Sequence, residues 1–190
     1  MEFAQSTLTK KDSEPFVHGV VDNFLTEEAF DYLSEQLLNE QFSEKHSDLF
    51  RFFQTQDLSA VPQFAAFSSF LTGAFREQLQ ALTGLRLGKQ LDMQGHMYAD
   101  ANYLLCHDDQ LDSRAIAFIL YLTDLEEGEG GELVLYPSKD GVPTREGAKK
   151  ILPQANRLVW FKVTDTSFHE VLEVLADTQR VTIGGWLHHD

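Results

Sequence analysis

Cysteine, proline and basic residues are all scarce in this chain of 190 residues. It has 1 cysteine and 5 prolines, and 15 lysines and arginines are set against 30 aspartates and glutamates. A single cysteine, Cys106, excludes an internal disulfide and a multi-cysteine zinc site, which is typical of a reducing compartment. No apolar run approaches the roughly 20 residues that cross a bilayer, and the N-terminus lacks the basic and apolar regions of a secretory signal. We therefore expect a cytoplasmic protein that has no membrane partner.

The net charge of −15 narrows the classes of partner. Such a field repels phosphate backbones, so nucleic acid is not expected as a substrate. The same field attracts basic proteins and peptides, but an excess of acidic residues is also a common solubility device. Charge alone leaves these two interpretations open.

Length and composition predict a single domain covering residues 1–190. Hydrophobic residues make up 43% of the chain and charged residues 24%, as in ordinary globular proteins. Residues 1–14 are polar and without pattern, and they end at Pro15, so they are predicted to be a flexible lead-in. The rest contains neither a long linker nor an internal repeat.

The first half of the chain is predicted to be mainly helical. Thr26 is a suitable N-cap, and Glu27 and Glu28 follow it in the first turn, where acidic groups favour the helix dipole. A second segment, residues 64–82, has apolar residues every three or four positions and is closed by Gly84.

After Gly84 the pattern changes to short runs of strand-forming residues separated by turns. Seven short strands suggest a barrel or sandwich, and helices ahead of a β core predict an α+β layered domain. The predicted strands are Leu91 to Tyr98, Tyr103 to His107, Ala115 to Leu122, Glu132 to Tyr136, Arg157 to Val163, Phe168 to Val174 and Arg180 to Trp186.

The most informative motif is His107-Asp108-Asp109, which directly follows an apolar strand. Strand side chains alternate between faces, so His107 and Asp109 are predicted to point to the same side. An imidazole and a carboxylate placed in this way, joined by one distant histidine, are typical of the facial triad of non-haem Fe(II) oxygenases.

The His-x-Asp spacing alone is weak evidence, because it occurs three times in the chain. The other two copies begin at His46, in a polar stretch, and at His188, at the extreme C-terminus, and both histidines are predicted to be solvated at the surface. Only His107 follows a strand and has a second apolar-flanked histidine, His169, downstream, with Arg180 further on.

Arg180 is predicted to anchor an anionic cosubstrate. An Fe(II) enzyme of this type needs an electron donor, and 2-oxoglutarate supplies it by chelating the metal through its oxo acid end. Its far carboxylate then needs a partner, and a guanidinium binds a carboxylate through two parallel charged hydrogen bonds. Thr182 should share the face of Arg180, and Tyr98 and Tyr121 could add phenolic donors. Each residue alone is more simply a core residue or, for Arg180, half of a surface ion pair; the combination is what indicates a site.

At this point the sequence resembles the 2-oxoglutarate and Fe(II)-dependent dioxygenases, and within them the prolyl 3-hydroxylases that modify a small-subunit ribosomal protein. The resemblance implies a double-stranded β-helix (jelly-roll) core with N-terminal supporting helices. It implies iron at His107, Asp109 and His169, and 2-oxoglutarate at Arg180, Tyr121 and Tyr98, with O₂ as the oxidant and ascorbate as a supporting reductant. The segments that carry it are Tyr103 to Asp109, Arg114 to Leu122, Gly130 to Leu133, Ser167 to Val171 and Arg180 to His188.

The implied activity is hydroxylation of a proline in a protein or peptide, with release of succinate and carbon dioxide. A basic ribosomal or translation-related protein is the partner class that the resemblance favours. The eukaryotic enzymes look like two tandem β-helix domains, and this chain corresponds to the first, so the substrate carries over less well than the chemistry. The same chemistry on another residue or a small molecule, and a non-catalytic module that binds iron or 2-oxoglutarate, remain as alternatives.

Overall fold

The structure, a computed structural model, describes residues 3–4, 7–8, 11–111, 113–175 and 177–190. No helix in these residues is both long enough and apolar enough to cross a membrane.

The helices of the described residues lie between positions 27 and 83. The first begins where the sequence predicts, because the Thr26 hydroxyl accepts a hydrogen bond from the Ala29 N–H at 3.3 Å. The second segment is a helical run with a π turn at its centre and a kink at Gly73, whose φ and ψ of −105° are not helical. It ends at Gly84, whose φ of 72° is left-handed. The helical elements are α1 (Glu27–Leu38), a 3₁₀ turn (Pro62–Phe64), α2 (Ala65–Phe70), the π turn (Leu71–Phe75) and α3 (Arg76–Thr83).

Thirteen strands form in the described residues, and all seven predicted strands are among them, Tyr103 to His107 with the predicted bounds and the other six with shifted ends. In chain order they are β1 (His18–Val21), β2 (Ser43–His46), β3 (Phe50–Gln54), β4 (Leu87–Tyr98), β5 (Tyr103–His107), β6 (Arg114–Tyr121), β7 (Leu133–Leu135), β8 (Ser138–Lys139), β9 (Val142–Pro143), β10 (Lys149–Ile151), β11 (Leu158–Lys162), β12 (His169–Val171) and β13 (Arg180–His189).

The strands form one antiparallel sheet of eleven strands and a separate pair, β8 and β9. The order in the large sheet is β1-β11-β6-β13-β4-β3-β5-β12-β7-β10, with β2 paired to β3. Residues from the two ends of this order, such as Phe161 of β11 and Leu135 of β7, belong to one buried cluster. The sheet therefore curls until its halves face each other, which agrees with the predicted α+β class and is consistent with a jelly-roll core.

Two apolar clusters lie on opposite faces of the β6-β13-β4 part of the sheet. The cluster on the outer face joins the helices to the sheet, with Leu33 and Phe75 packed in the same cluster as Phe118 and Ile183. The inner cluster lies between the two halves of the curled sheet. Strand residues alternate between the clusters, and this alternation decides which side chains of β4, β6 and β13 face the interior of the curl.

The N-terminal segment differs from the predicted flexible lead-in over its described residues. Phe3 and Leu8 are buried, and the Phe3 ring lies 5.5 Å from the ring of Phe67. The Leu8 N–H donates to Gln78 Oε1 at 2.9 Å. The prediction treated a polar stretch as unpatterned, but two well-placed apolar side chains are enough to attach it to the helical layer. Residues 1, 2, 5, 6, 9 and 10 lie outside the described residues.

The first half of the chain also contains strands that the helical prediction missed. β2 and β3 form a hairpin, and every residue of β2 is exposed. An exposed strand carries no apolar alternation, so β2 gives no strand pattern in the sequence.

Candidate active site

Two neighbouring strands bring His107 and His169 together. His107 is the last residue of β5 and His169 is the first of β12, and the two are directly opposed in the antiparallel register. The next pair in that register is Leu104 with Val171, so β5 has one extra residue between the two pairs. This bulge turns both Leu104 and His107 toward the interior, although they are three positions apart.

Asp109 reaches the same point by a turn and not by strand alternation. β5 ends at His107, and Asp109 has a φ of 62°, in the left-handed region that aspartate tolerates better than most residues. The prediction that His107 and Asp109 would share a face was based on a strand continuing through both. The side chains do converge, but the geometry comes from the turn that follows the strand.

The three side chains converge tightly. Asp109 Oδ1 lies 3.3 Å from His107 Nε2, and its Oδ2 lies 3.4 Å from His169 Nε2. One ligand atom from each residue lies within 4.8 Å of the other two. A carboxylate between two imidazole nitrogens at this separation can direct all three toward one metal ion.

Backbone hydrogen bonds orient both imidazoles toward the carboxylate. The Nδ1 of His107 lies 2.8 Å from the Leu105 carbonyl oxygen, and the Nδ1 of His169 lies 2.8 Å from the Ser167 carbonyl oxygen. A carbonyl can only accept, so each Nδ1 carries the hydrogen and each Nε2 has its lone pair available in the neutral ring. This is the tautomer that metal binding through Nε2 requires.

Asp109 is held from its other side by Trp186 and Arg114. The Trp186 indole N–H donates to Asp109 Oδ2 at 3.0 Å, and Arg114 lies 3.6 Å from Oδ1. The Arg114 guanidinium also stacks on the Trp186 ring, 3.5 Å from its centroid. These two residues fix the direction of the carboxylate.

The charges in this cluster favour an ionised carboxylate. Burial opposes ionisation of Asp109, but the attraction of His169 and hydrogen bonds from both imidazoles outweigh it and hold the pKa of Asp109 well below its usual value. Burial lowers the pKa of His107, yet the hydrogen bond and charge of Asp109 outweigh this effect and raise that pKa. The ionised carboxylate therefore favours a positive charge beside the two imidazoles, which protons or a metal ion can supply.

A cavity of about 200 Å³ opens beside the three residues, inside the curl of the sheet. Its lining is mainly apolar, with a few polar side chains in defined places, as is usual for small-molecule sites. The polar lining residues besides the triad are Gln54, His96, Tyr98, Arg180 and Thr182.

Arg180 lies in this cavity as a buried cation. Only 2% of its surface is exposed, and no acidic side chain of the described residues forms an ion pair with it. Its buried Nε has no hydrogen-bond partner in the part of the chain that the structure describes. The alternative that Arg180 forms half of a surface ion pair is therefore wrong. A buried guanidinium with an unpaired donor is costly unless an anionic ligand completes it.

Two tyrosines and a threonine surround the guanidinium. The carbon at its centre lies 4.9 Å from the Tyr98 ring centroid and 5.0 Å from that of Tyr121, whose hydroxyl lies 3.4 Å from an Arg180 nitrogen. Burial raises the pKa of both phenols, so both keep their hydrogens and can donate. Thr182 faces the cavity, two residues from Arg180 on β13, as predicted.

Sequence reasoning missed several residues of the site. Trp186 lies an even number of positions from Arg180 and Thr182 on β13, and His96 lies two positions from Tyr98 on β4. Residues spaced in this way share one face of a strand, so alternation along each strand could have identified both. Gln54 could not be found in this way, since its strand was not predicted.

The other two His-x-Asp copies lie outside this cluster. His46 is exposed on β2, as predicted. His188 is not solvated: it is 4% exposed, with Nδ1 2.8 Å from Ser113 Oγ and Nε2 3.1 Å from Asp92. The prediction assumed a frayed C-terminus, but β13 continues to His189 and keeps His188 in the sheet.

Comparison with known families decides where this arrangement belongs. Residues 93–188 match the family model of the 2OG-Fe(II) oxygenase superfamily, which is more than half of the chain. The chain belongs to the 2OG-Fe(II) oxygenase superfamily. Iron(II), 2-oxoglutarate and O₂ are therefore its cofactor and cosubstrates.

A relative of known sequence agrees with this membership, and solved structures agree with the fold. The chain is 38% identical over 182 residues to prolyl 3-hydroxylase OGFOD1 of Mus musculus, a match that covers 93% of this chain and 33% of that protein. A prolyl-4-hydroxylase from Pseudomonas putida superposes with a TM-score of 0.75 at 18% identity, covering 91% of this chain and 92% of its own. A Trichoplax adhaerens prolyl hydroxylase, solved with a peptide fragment of hypoxia inducible factor, gives 0.70 at 20% identity, covering 90% and 83%. The chain spans about a third of the length of the curated relatives it matches.

The residues of the cavity fit the cofactor and cosubstrate of the superfamily. Two imidazole nitrogens and one carboxylate are donors suited to Fe(II), and the hydrogen bonds on both Nδ1 atoms leave the Nε2 atoms free to bind it. The unpaired Nε of Arg180 fits a carboxylate at the other end of a dicarboxylic ligand.

Trp186→Phe is expected to weaken Fe(II) binding by about 10- to 100-fold, the usual range for removing a group that orients a metal ligand. Phenylalanine keeps a ring beneath Arg114 but removes the N–H that holds Asp109 Oδ2. Calorimetric titration with Mn(II) or anaerobic Fe(II) measures the change. Trp160→Phe is the matched control, because Trp160 belongs to the outer cluster and no described residue forms a hydrogen bond with its buried indole nitrogen. Equal losses in both variants would contradict the orienting role of Trp186.

Proposed function

We propose that this protein is an Fe(II)- and 2-oxoglutarate-dependent hydroxylase that acts on proline residues of a protein or peptide. The fold we assign to it is a single double-stranded β-helix domain covering residues 1–190. The observation that carries the proposal is the buried guanidinium of Arg180, which has no acidic partner among the described residues and shares one cavity with a His-Asp-His cluster.

Each residue has a definite part in this proposal. His107, Asp109 and His169 hold Fe(II), which when bound supplies the activation of O₂ that the protein side chains cannot perform. Arg180 pairs with the far carboxylate of 2-oxoglutarate, while Tyr121, Tyr98 and Thr182 surround that end with donors. The apolar wall of the cavity excludes water from the reacting groups.

The proposed reaction is balanced by the two cosubstrates. One oxygen atom of O₂ enters a C–H bond of the prolyl ring and gives hydroxyproline. The other enters 2-oxoglutarate, which loses carbon dioxide and leaves as succinate. The two electrons lost by the C–H bond and the two lost in decarboxylation together reduce O₂.

A protein or peptide substrate is supported by the relatives. The curated relatives are named prolyl hydroxylases, and one similar structure was solved with a peptide in place. A net charge of −15 favours a basic partner over an acidic one. We therefore favour a basic ribosomal or translation-related protein as the target.

Mass spectrometry of peptide products tests the proposal. The protein is incubated with Fe(II), 2-oxoglutarate, ascorbate and basic proline-containing peptides, each paired with a version in which alanine replaces proline. We expect a gain of one oxygen atom on proline, with matching formation of succinate. Oxygen gained equally by the alanine versions would indicate another target residue. Failure to form any succinate would support a non-catalytic binding module.

A further inference from the structure

His96 is a partly buried, cavity-facing residue that the proposed roles leave unused. It lies on β4 and lines the same cavity as the triad and Arg180. Strand pairing sets it opposite Thr182 of β13 on one side and Gln54 of β3 on the other. Its position in the sheet is therefore fixed on both sides.

The register of β4 and β13 places His96 between the two ends of the site. Arg180 pairs with Tyr98, Thr182 pairs with His96 two residues further on, and Trp186, which contacts Asp109, is four residues beyond Thr182. A ligand that extends from Arg180 toward the triad passes the row of His96 and Thr182.

Gln54 determines which nitrogen of His96 carries the hydrogen. The amide nitrogen of Gln54 lies 3.0 Å from His96 Nε2. An amide nitrogen can only donate, so Nε2 accepts and the hydrogen of the neutral ring is on Nδ1. Burial, followed by the charge of Arg180, lowers the pKa of His96 to about 4, so the ring is neutral near pH 7. Among the described residues, no group accepts a hydrogen bond from Nδ1.

We propose that His96, held in this tautomer by Gln54, donates its Nδ1 hydrogen to the oxo acid end of bound 2-oxoglutarate. This inference rests on the proposed function, because it assumes that 2-oxoglutarate extends from Arg180 to the triad. His96 is then a cosubstrate-binding residue and Gln54 is a positioning residue. A neutral donor suits this place, since a further cation beside the metal ligands would weaken metal binding.

The test is the binding of 2-oxoglutarate to Mn(II)-loaded protein, followed by calorimetry, with Mn(II) affinity measured separately. His96→Phe keeps an aromatic ring and removes the donor, so the Kd for 2-oxoglutarate is expected to rise about 10- to 100-fold, as for loss of one hydrogen bond to a charged group. Mn(II) affinity should stay within about threefold of the wild type. His96→Asn restores a donor and should recover most of the loss.

A second variant, Gln54→Leu, and an absorption spectrum test the role of His96 independently of the first variant. Gln54→Leu leaves the imidazole in place but frees its tautomer, so a smaller rise in Kd, about 3- to 10-fold, is expected from the loss of a neutral hydrogen bond. The charge-transfer absorption of the anaerobic Fe(II)–2-oxoglutarate complex should shift in His96→Phe, because the chelating group loses a hydrogen bond, and should not shift in Arg51→Lys, an exposed control.

The outcomes separate the two proposals. Wild-type protein that binds no 2-oxoglutarate would overturn the proposed function and this inference together. Normal binding and an unshifted band in His96→Phe would overturn only the role of His96. Loss of Mn(II) binding in His96→Phe would also reject it, because the residue would then support the metal site.

Discussion

His169→Ala is expected to abolish conversion of 2-oxoglutarate to succinate and to weaken metal binding by more than about 100-fold. Removing a group that only orients a ligand costs about 10- to 100-fold in metal affinity, and losing a ligand should exceed that range. His169 is 4% exposed and lies opposite His107, so no other described histidine replaces it beside Asp109. Mn(II) titration and a succinate assay measure the two effects.

The matched control for this variant is His46→Ala. His46 also begins a His-x-Asp sequence, but it is exposed on β2 and lies outside the cavity. It should leave metal affinity and turnover unchanged. His188 is unsuitable as a silent control, because it is buried against Ser113 and Asp92 and its removal is expected to cost stability.

A second variant, His169→Gln, distinguishes the loss of a metal ligand from a loss of folding. Glutamine fills most of the space of the imidazole, and a thermal melt of each variant shows whether the fold persists. A folded His169 variant that kept wild-type metal affinity would exclude this residue as a ligand. In that case the convergence on Asp109 would have a purely structural role.

The triad could be predicted from the sequence because strand context selects among identical motifs. All three His-x-Asp copies have the same spacing, but only His107 ends an apolar strand with a second flanked histidine downstream. What could not be predicted is how the side chains converge. The bulge opposite His169 and the left-handed φ of Asp109 both depend on tertiary pairing, and neither gives a local pattern.

The residues that support the site show the same limit. Trp186 shares a strand face with Arg180, and His96 shares one with Tyr98. Once the strand and the inward face are known, the two-residue period of a strand therefore predicts that both residues face the cavity. Gln54 lies on β3, where Phe50 and Phe52 line the same cavity, but this alternating run is short and its exposed partner β2 shows no apolar alternation, so the strand was not predicted. The C-terminal strand was predicted too short because a chain end was assumed to fray, whereas pairing of β13 with both β4 and β6 keeps it ordered to His189.

Arg180→Met is expected to remove 2-oxoglutarate binding while leaving the unliganded fold no less stable. Without a ligand, the guanidinium is a buried charge with no carboxylate partner in residues 3–4, 7–8, 11–111, 113–175 and 177–190, and an apolar side chain of similar length avoids that desolvation cost. Contacts with the Tyr98 and Tyr121 rings recover part of this cost in the wild type. The substitution should therefore weaken the binding of 2-oxoglutarate without lowering the stability of the unliganded protein.

Thermal unfolding with and without 2-oxoglutarate measures both effects in one experiment on Mn(II)-loaded protein. A ligand at 100 times its Kd stabilises a protein by about 2.7 kcal/mol, so the wild type should gain several degrees and Arg180→Met none. Arg180→Lys keeps the charge but loses the paired donors, and its Kd should rise about 10- to 100-fold. Arg51→Lys, at an exposed arginine 2.9 Å from Glu44, should behave as the wild type. If Arg180→Met retained the full ligand-induced shift, the far carboxylate would have to bind elsewhere, and the cavity would lose the feature that most clearly indicates 2-oxoglutarate.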